Sequence, residues 1–387
     1  MRNPSTPKHP TKIVAGVISS ILFLHGNVSA QTVASGFPRP ALYFLTLAPD
    51  ARSAGMGDAG VAVSPDANAT YWNAAKLAFA DRDFGASVSY APWLRNLTDD
   101  MWLGYASVYK RIGKGQAIAI SANHYHGGVN PLFTASGISL GNFRSSESAI
   151  AGTYATQLGR DFSMGLTLKY ITSNVANGAV INAVTLKPGQ SIAGDISVYY
   201  KKELINSRDG KNLSVAFGAV ISNMGGAMSY GMGTDQTYLP TTFKLGAGLS
   251  FTPVAKHQFN FILDASKLAL PTPVNGVIPS NQPVINAVFK SFNDAPGGFK
   301  EEMQEVVWSG GVEYKYNYIF AVRGGYFGEH RNKGNRKYFT AGAGLRFLKN
   351  YDVDFAYMFP VKEHSPFANT FRVSVSANLN TRARYKD

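Results

Sequence analysis

The chain has 387 residues, 45% of them hydrophobic and 16% charged, and carries a formal net charge of +13. Cysteine is absent, which excludes a disulfide framework, Cys-based zinc sites, a Cys nucleophile and a lipoprotein anchor on cysteine. Beyond the first thirty residues no apolar run reaches the roughly 18 residues that a transmembrane helix needs, whereas 39 Gly, 24 Phe and 20 Tyr suit long strands with aromatic girdles.

The N-terminus has the three-part layout of a secretory signal peptide. Arg2, Lys8 and Lys12 precede an apolar stretch at 13–24, and Val28, Ser29 and Ala30 supply small residues for cleavage before Gln31. The stretch is too short for a membrane anchor. Removal of 1–30 takes three cations with it, so the mature chain carries 13 − 3 = +10. Its Lys and Arg are dispersed along the sequence rather than gathered on one helix, which argues against nucleic acid and for anionic lipopolysaccharide or an acidic partner.

Residues 31–80 do not read as strands. They contain Gly55, Met56, Gly57 and Asp58, then Asn68, then Trp72 and Asn73. Gly55, Gly57 and Gly60 match the dinucleotide fingerprint, with Asp81 about twenty residues on, but no apolar strand precedes them and no βαβ unit surrounds them. The structural reading is a plug segment inside a barrel, where small residues allow tight folding and Asn73 and Asp58 tie backbone groups.

From Phe84 onward one unit repeats: a segment of alternating character, then turn residues. Phe84, Ala86, Val88 and Tyr90 share one face, and Gly85, Ser87 and Ser89 the other. Val353, Phe355, Tyr357 and Phe359 alternate with more polar neighbours, as do Phe371, Val373 and Val375 with Arg372, Ser374 and Ser376. Period two of this kind puts one face in an apolar medium and the other in a polar one. The pattern predicts fourteen strands at 84–93, 99–112, 115–127, 147–159, 162–174, 193–203, 213–225, 241–254, 257–268, 306–317, 318–329, 337–348, 351–361 and 371–379. Most are too long for a soluble sandwich, whose strands run to about 5–6 residues, and match the about 9–11 of a tilted membrane strand.

The joins alternate between tight ones, such as Gly113-Lys114, Arg160-Asp161 and Lys349-Asn350, and long ones at 128–146, 175–192, 226–240 and 269–305. That alternation is expected of an outer-membrane barrel with turns at one end and loops at the other. An even strand count then puts both termini on the periplasmic side. The join at 204–212 is longer than the scheme wants. The expected architecture is therefore all-β: a signal peptide at 1–30, a plug at 31–80 and a transmembrane antiparallel barrel of about fourteen strands over 81–387, ending in a short basic tail.

Candidate chemistry is sparse. His124 and His126 share a strand face, but no carboxylate or further His stands at ligand spacing, so a girdle role is expected and no metal. Asp99 and Asp100 read as a solvated pair opening the second strand, with lipopolysaccharide-bridging calcium as the alternative. No Gly-x-Ser-x-Gly element is present. The expectation is a non-catalytic protein without cofactor. The connection 269–305 joins a Pro-rich half to Phe299–Val306, which predicts a short amphipathic helix. A loop this long is the first candidate for a partner-binding element, with a plain surface loop as the alternative.

The residues 44–52, FLTLAPDAR, followed by Gly55-Met56-Gly57-Asp58, Asp66-Ala67-Asn68, Tyr71-Trp72-Asn73 and 89–94, SYAPWL, closely resemble the PorV (LptO) family of the Bacteroidetes type IX secretion system. The resemblance covers 43–94. More distantly the chain is similar to FadL-type fatty-acid channels, fourteen-stranded barrels with an N-terminal plug bearing an Asn-Pro-Ala element; Ala74 stands here where that proline would be. The resemblance implies a non-catalytic outer-membrane shuttle. Such a protein takes cargo from the translocon barrel by its C-terminal signal domain and delivers it to a sortase-containing complex that attaches it to lipopolysaccharide. It places cargo binding on the extracellular loops, at residues it does not identify. The alternative from another class is a FadL-type transporter of hydrophobic small molecules, and a PorQ-like role within the same system is a third reading.

Overall fold

The alternation of apolar and polar residues is realised as one closed sheet. The computed structural model describes residues 40–380, apart from 134–135, 176–177, 179, 182–183, 231–236, 274–283 and 363–364. The expected signal peptide and the basic tail lie outside the described residues. The strands are β1 (Phe84–Pro92), β2 (Trp102–Gly113), β3 (Gln116–Phe133), β4 (Ser139–Gln157), β5 (Phe162–Asn174), β6 (Val180–Ile181), β7 (Val184–Thr185), β8 (Gly189–Asn206) and β9 (Asn212–Gly225). They continue with β10 (Thr242–Val254), β11 (His257–Leu268), β12 (Val306–Tyr316), β13 (Phe320–Gly328), β14 (Lys337–Phe347), β15 (Tyr351–Pro360) and β16 (Phe371–Leu379). All but β6 and β7 form a closed antiparallel barrel of fourteen strands, each paired with its chain neighbour, and β1 closes on β16 from Phe84↔Leu379 to Tyr90↔Val373.

Every expected barrel strand is present, and the departures are at its ends. Residues 128–146, expected as a loop, carry β3 and β4 onward as a paired ribbon (Val129↔Arg144, Leu132↔Gly141) past a bulge at Gly127–Gly128. Beyond the rim neither face of such a ribbon meets lipid, so the alternation that marks a wall strand is lost there. The connection 175–192 contains the small β6–β7 ribbon and the start of β8. The long join at 204–212 shrinks to 207–211 because β8 runs to Asn206. The second strand begins at Trp102 rather than 99, leaving Asp99 and Asp100 exposed in the preceding join.

Which face is apolar decides the surrounding medium. Along β1, Val88 is 62% exposed while its neighbour Ser87 is 2% exposed. The same inversion holds for Ile118 and Ile120 against Ser121, and Phe261 and Leu263 against Asp264. Leaving such a belt in water would cost about 25 cal/mol per Å²; in a bilayer the belt is solvated and the polar face is sealed inside.

Short joins, such as 114–115, 255–256 and 348–350, gather at one end of the barrel and the long ones at the other. Several tight joins use left-handed residues without glycine: Asn317 (φ 51°) with Tyr318 (φ 56°), and Leu348 (φ 48°) with Lys349 (φ 63°). That backbone matches the twist of hairpin strands. Residues 40–80 then thread the lumen from end to end. Ala41 donates to the Tyr238 carbonyl among the long joins (3.0 Å), and the segment leaves through Ala80 into β1 at the short-turn end. The described chain thus begins at the long-join end and ends, at Asn380, at the other. The termini themselves, both expected on the periplasmic side, lie outside the described residues.

Candidate functional site

The lumen is filled by a segment too rich in Gly and Ala to make a core of its own. It folds as brief helical turns at Tyr43–Thr46, Ala51–Ala54, Ala69–Trp72 and Ala74–Phe79. At the long-join end Leu42, Phe44, Leu45 and Leu47 pack with Trp93, Leu103, Met228 and Leu239 in an apolar seal. Asp50 caps the Ala51–Ala54 turn by accepting from the Ser53 amide (2.8 Å) and from Trp72 Nε1 (2.6 Å).

Each residue singled out in the sequence is built into this contact. Gly55 ends the turn against Gly342, and its carbonyl accepts from Thr340 Oγ1 (3.1 Å). Met56 is fully buried with Ala59, Val63 and Ile262. Gly57 has φ 72° and lies on the backbone of Tyr326, where a Cβ would stand 2.6 Å from the amide nitrogen. The Asp58 carboxylate accepts from Tyr338 Oη (2.5 Å) and Arg372 Nη1 (3.3 Å), so it ties wall side chains where backbone groups had been expected. The backbone-tying carboxylate is instead Asp264 of β11, which accepts from the Gly60 (2.7 Å) and Val61 (2.9 Å) amides. Asn68 receives nothing on its buried Oδ1, and its amide donates to Asp66 (2.9 Å). Trp72 packs on Gly60, with Lys244 Nζ 5.1 Å from its ring. Asn73 donates to the carbonyls of Val61 (3.2 Å) and Val198 (3.0 Å) and accepts from the Ala75 amide (3.1 Å), pinning the plug to itself and to β8.

The sequence reading missed the charges that lock this segment. Arg52 binds Glu313 of β12 through both Nε (3.1 Å) and Nη2 (3.0 Å), and Asp66 through Nη1 (2.8 Å). Glu313 also accepts from Arg323 (2.7 Å) and Asn260 (3.1 Å) and pairs with Lys315 (3.1 Å); Arg323 reaches on to Asp354 (2.7 Å). Elsewhere on the wall Lys169 of β5 pairs with Asp195 of β8 at 2.7 Å. Mid-lumen wall cations Lys169, Lys244, Arg323 and Arg372 equal in number the anions Asp195, Asp264, Glu313 and Asp354. A signal was available: these charges all fall on the polar phase of an alternating strand.

Two regions remain open. Between the plug and the short-turn end lies a cavity of about 620 Å³, lined by charged and polar groups such as Arg82, Lys201, Glu313, Arg346, Lys349 and Asp352. At the other end the connection after β11 folds as helices Val284–Lys290 and Phe299–Gln304. The second is the amphipathic helix the sequence predicts; the first was not foreseen. Lys267, on the outward phase of β11, pairs with Glu302 (2.8 Å) and with Glu305 under the second helix. Lys333 from the next join binds Glu301 (2.6 Å) and Glu305 (2.9 Å). Outside the membrane-spanning strands, the Lys333 hydrogen bond and then the Gly297 amide hold Glu301 below the usual glutamate range. Burial pushes Lys333 down, but the hydrogen bonds it donates to Glu301 and Glu305 outweigh it and leave the amine above its ordinary value. This anchor leaves Ile285, Phe289 and Phe299 exposed at 70%, 73% and 79%.

His124 and His126 sit on the outward face beside Trp102, at ring distances of 5.1 and 5.9 Å, and His124 shares a hydrogen bond with Ser148 (2.8 Å). Among the described residues no group of three or more His, Asp or Glu could hold a metal ion.

Residues 32–275 match the family described as Type IX secretion system protein PorV, a stretch of 244 of the 387 residues. The chain belongs to the PorV family. A PorV-family barrel is an outer-membrane component of the type IX secretion system. No curated protein matches by sequence. Among solved structures, a deletion mutant of the TodX monoaromatic hydrocarbon channel is 11% identical with a TM-score of 0.50, covering 85% of this chain and 99% of that one. The Pseudomonas putida toluene transporter TodX is 12% identical with a TM-score of 0.46, covering 84% and 95%. A Pseudomonas aeruginosa FadL homologue is 10% identical with a TM-score of 0.46, covering 89% and 100%. At such identities the likeness concerns the fold alone.

Proposed function

We propose that this PorV-family protein is a non-catalytic shuttle. It binds the C-terminal signal domain of secreted proteins on its long-join end and passes them from the translocon barrel to the sortase-containing attachment complex. The observation that carries the reading is the stretch 284–305 of the connection after β11, anchored through Glu301, Glu302 and Glu305, with Ile285, Phe289 and Phe299 exposed at its surface. Large apolar side chains held rigidly in view are the usual anchors of a protein interface. A patch of this modest size suits a carrier that must release its cargo.

A transporter of hydrophobic small molecules needs a continuous apolar path with an exit. Here the plug is tied to the wall by buried charges, and the cavity beneath it is lined by Arg, Lys, Glu and Asp. Both features favour the shuttle. The test is affinity capture of the tagged barrel from detergent-solubilised outer membranes, compared with its Phe289→Asp, Phe299→Asp double variant. Recovery of a large translocon, a sortase-like protein and proteins with uncleaved C-terminal signal domains, the last lost in the variant, supports the reading. A barrel recovered alone with fatty acids or other lipids overturns it in favour of transport.

A further inference from the structure

The sequence disperses its cations, and the fold gathers them. At the short-turn end, segments 80–83, 110–115, 157–161, 200–212, 253–258, 315–319, 346–352 and 378–380 together hold thirteen Lys and Arg and six Asp and Glu, a balance of 13 − 6 = +7. At the long-join end, the described residues of segments 93–101, 127–148, 172–191, 223–243, 266–307, 328–338 and 360–371 hold eleven against eight, a balance of 11 − 8 = +3. The lumen wall between them is neutral. Most of the +10 of residues 31–387 therefore stands on one rim.

Where those cations point separates two classes of partner. Phosphate headgroups of a bilayer would be met by side chains on the outward face of the strands, and Lys110 and Lys202 are of that kind. The joins themselves, which project along the barrel axis into water, carry Lys114, Arg160, Arg208, Lys211, Lys256 and Lys349, all exposed. Of these, among the described residues, only Arg160 has an acidic partner, Asp161 at 4.0 Å. Lys201 and Lys349 also line the cavity of about 620 Å³ that lies inside the same ring. The ring and the cavity make one concave basic surface with a polar floor.

We infer that the short-turn rim is a docking surface for a soluble protein that presents an acidic segment, received by the ring and the cavity it surrounds. With the long joins on the cell surface, as in other outer-membrane barrels, this rim faces the periplasm. The partner is thus a periplasmic protein, approaching the shuttle from the side opposite its cargo. A ring of like charges with a low-dielectric wall focuses the field along the axis and speeds the capture of an acidic partner.

The intact barrel in nanodiscs of zwitterionic lipid is titrated with a fluorescent polyglutamate peptide as the probe. Reversal of four turn-tip charges (K114E, R208E, K256E, K349E) is compared with reversal of four at the other end (R95E, K187E, K290E, K362E). The rim variant is expected to lose about tenfold or more in affinity, the control to stay near wild type, and binding to vanish near 1 M salt, where the screening length is about 3 Å. Equal losses in the two variants, or no binding by wild type, overturn the inference. In cells, a photo-crosslinking residue at Ala255 is expected to capture a protein, with the adduct abolished by K114E, R208E and K349E. Adducts to lipid alone, or protein adducts indifferent to the charge reversal, overturn it.

Discussion

The guanidinium of Arg52, on the plug, lies 3.0 Å from the carboxylate of Glu313, on the wall, and both residues are buried. Glu313 is shared with Arg323 and Lys315, and Asp66 on Arg52 and Asp354 on Arg323 complete the network. Removing it leaves uncompensated buried charge, which costs about 3–5 kcal/mol. Glu313→Ala is expected to loosen the plug without unfolding the barrel. Planar-bilayer recordings should then show frequent channel openings absent from the wild type, and a silent variant would mean that Arg52–Glu313 does not hold the plug.

Gly57 is the position where chemistry leaves least choice. Its φ of 72° and its approach to the Tyr326 backbone exclude a Cβ on two separate counts. Gly57→Ala is expected to lower the midpoint of thermal unfolding, read as heat-modifiable migration on gels, and Gly137→Ala, with φ 84° but open space around it, by much less. Equal effects at the two positions would show that backbone strain, and not plug contact, sets the cost.

The wall was legible because a membrane outside and a plug inside impose opposite demands on alternate residues. Phe261, Leu263 and Ala265 against Asn260, Ile262 and Asp264 is such a record, with Ile262 the one apolar exception because it packs on Met56 of the plug. The ribbon formed by β3 and β4 beyond the rim left no such record, since Asn130, Pro131 and Gly141 meet water on both faces. Plug residues 55–58 and 68–73 stood out by resemblance, but their partners did not. Arg52 and Glu313 are 261 residues apart, and local pattern carries no information on a pairing made by barrel closure.

Which end faces the cell surface can be read directly, because a chain without cysteine accepts unique labels. Arg331→Cys, exposed in the join 329–336, is expected to react with a membrane-impermeant maleimide on intact cells. Lys349→Cys, exposed in the tight join 348–350, is expected to react after the outer membrane is permeabilised. Labelling in the reverse order would turn the barrel over and move the basic rim to the outside.

The anchor of the connection 269–305 carries its own pH signature. Glu301 is held below the usual carboxylate range, first by the hydrogen bond from Lys333 and then by the Gly297 amide. A lowered carboxyl contributes stability above its unfolded pKa and loses it as pH falls through the folded value, hence below about pH 4. Lys333 is raised, burial opposing and the bonds it donates to Glu301 and Glu305 prevailing. Its contribution is complete below the ordinary lysine value of about 10.4 and disappears as pH rises beyond it. The connection should therefore stay docked between about pH 5 and 10 and loosen on either side. Hydrogen exchange of Phe299–Gln304, corrected for intrinsic rates, is expected to show flat protection across that window and a fall below about pH 4. In Lys333→Met the protection should already be lost at neutral pH, and cargo capture should weaken with it, because Phe299 is displayed by the helix that Glu301 and Glu305 pin down. Protection that persists at pH 3 would mean that apolar contacts such as Phe243 with Phe292, 5.8 Å apart, hold the connection without the ion pairs.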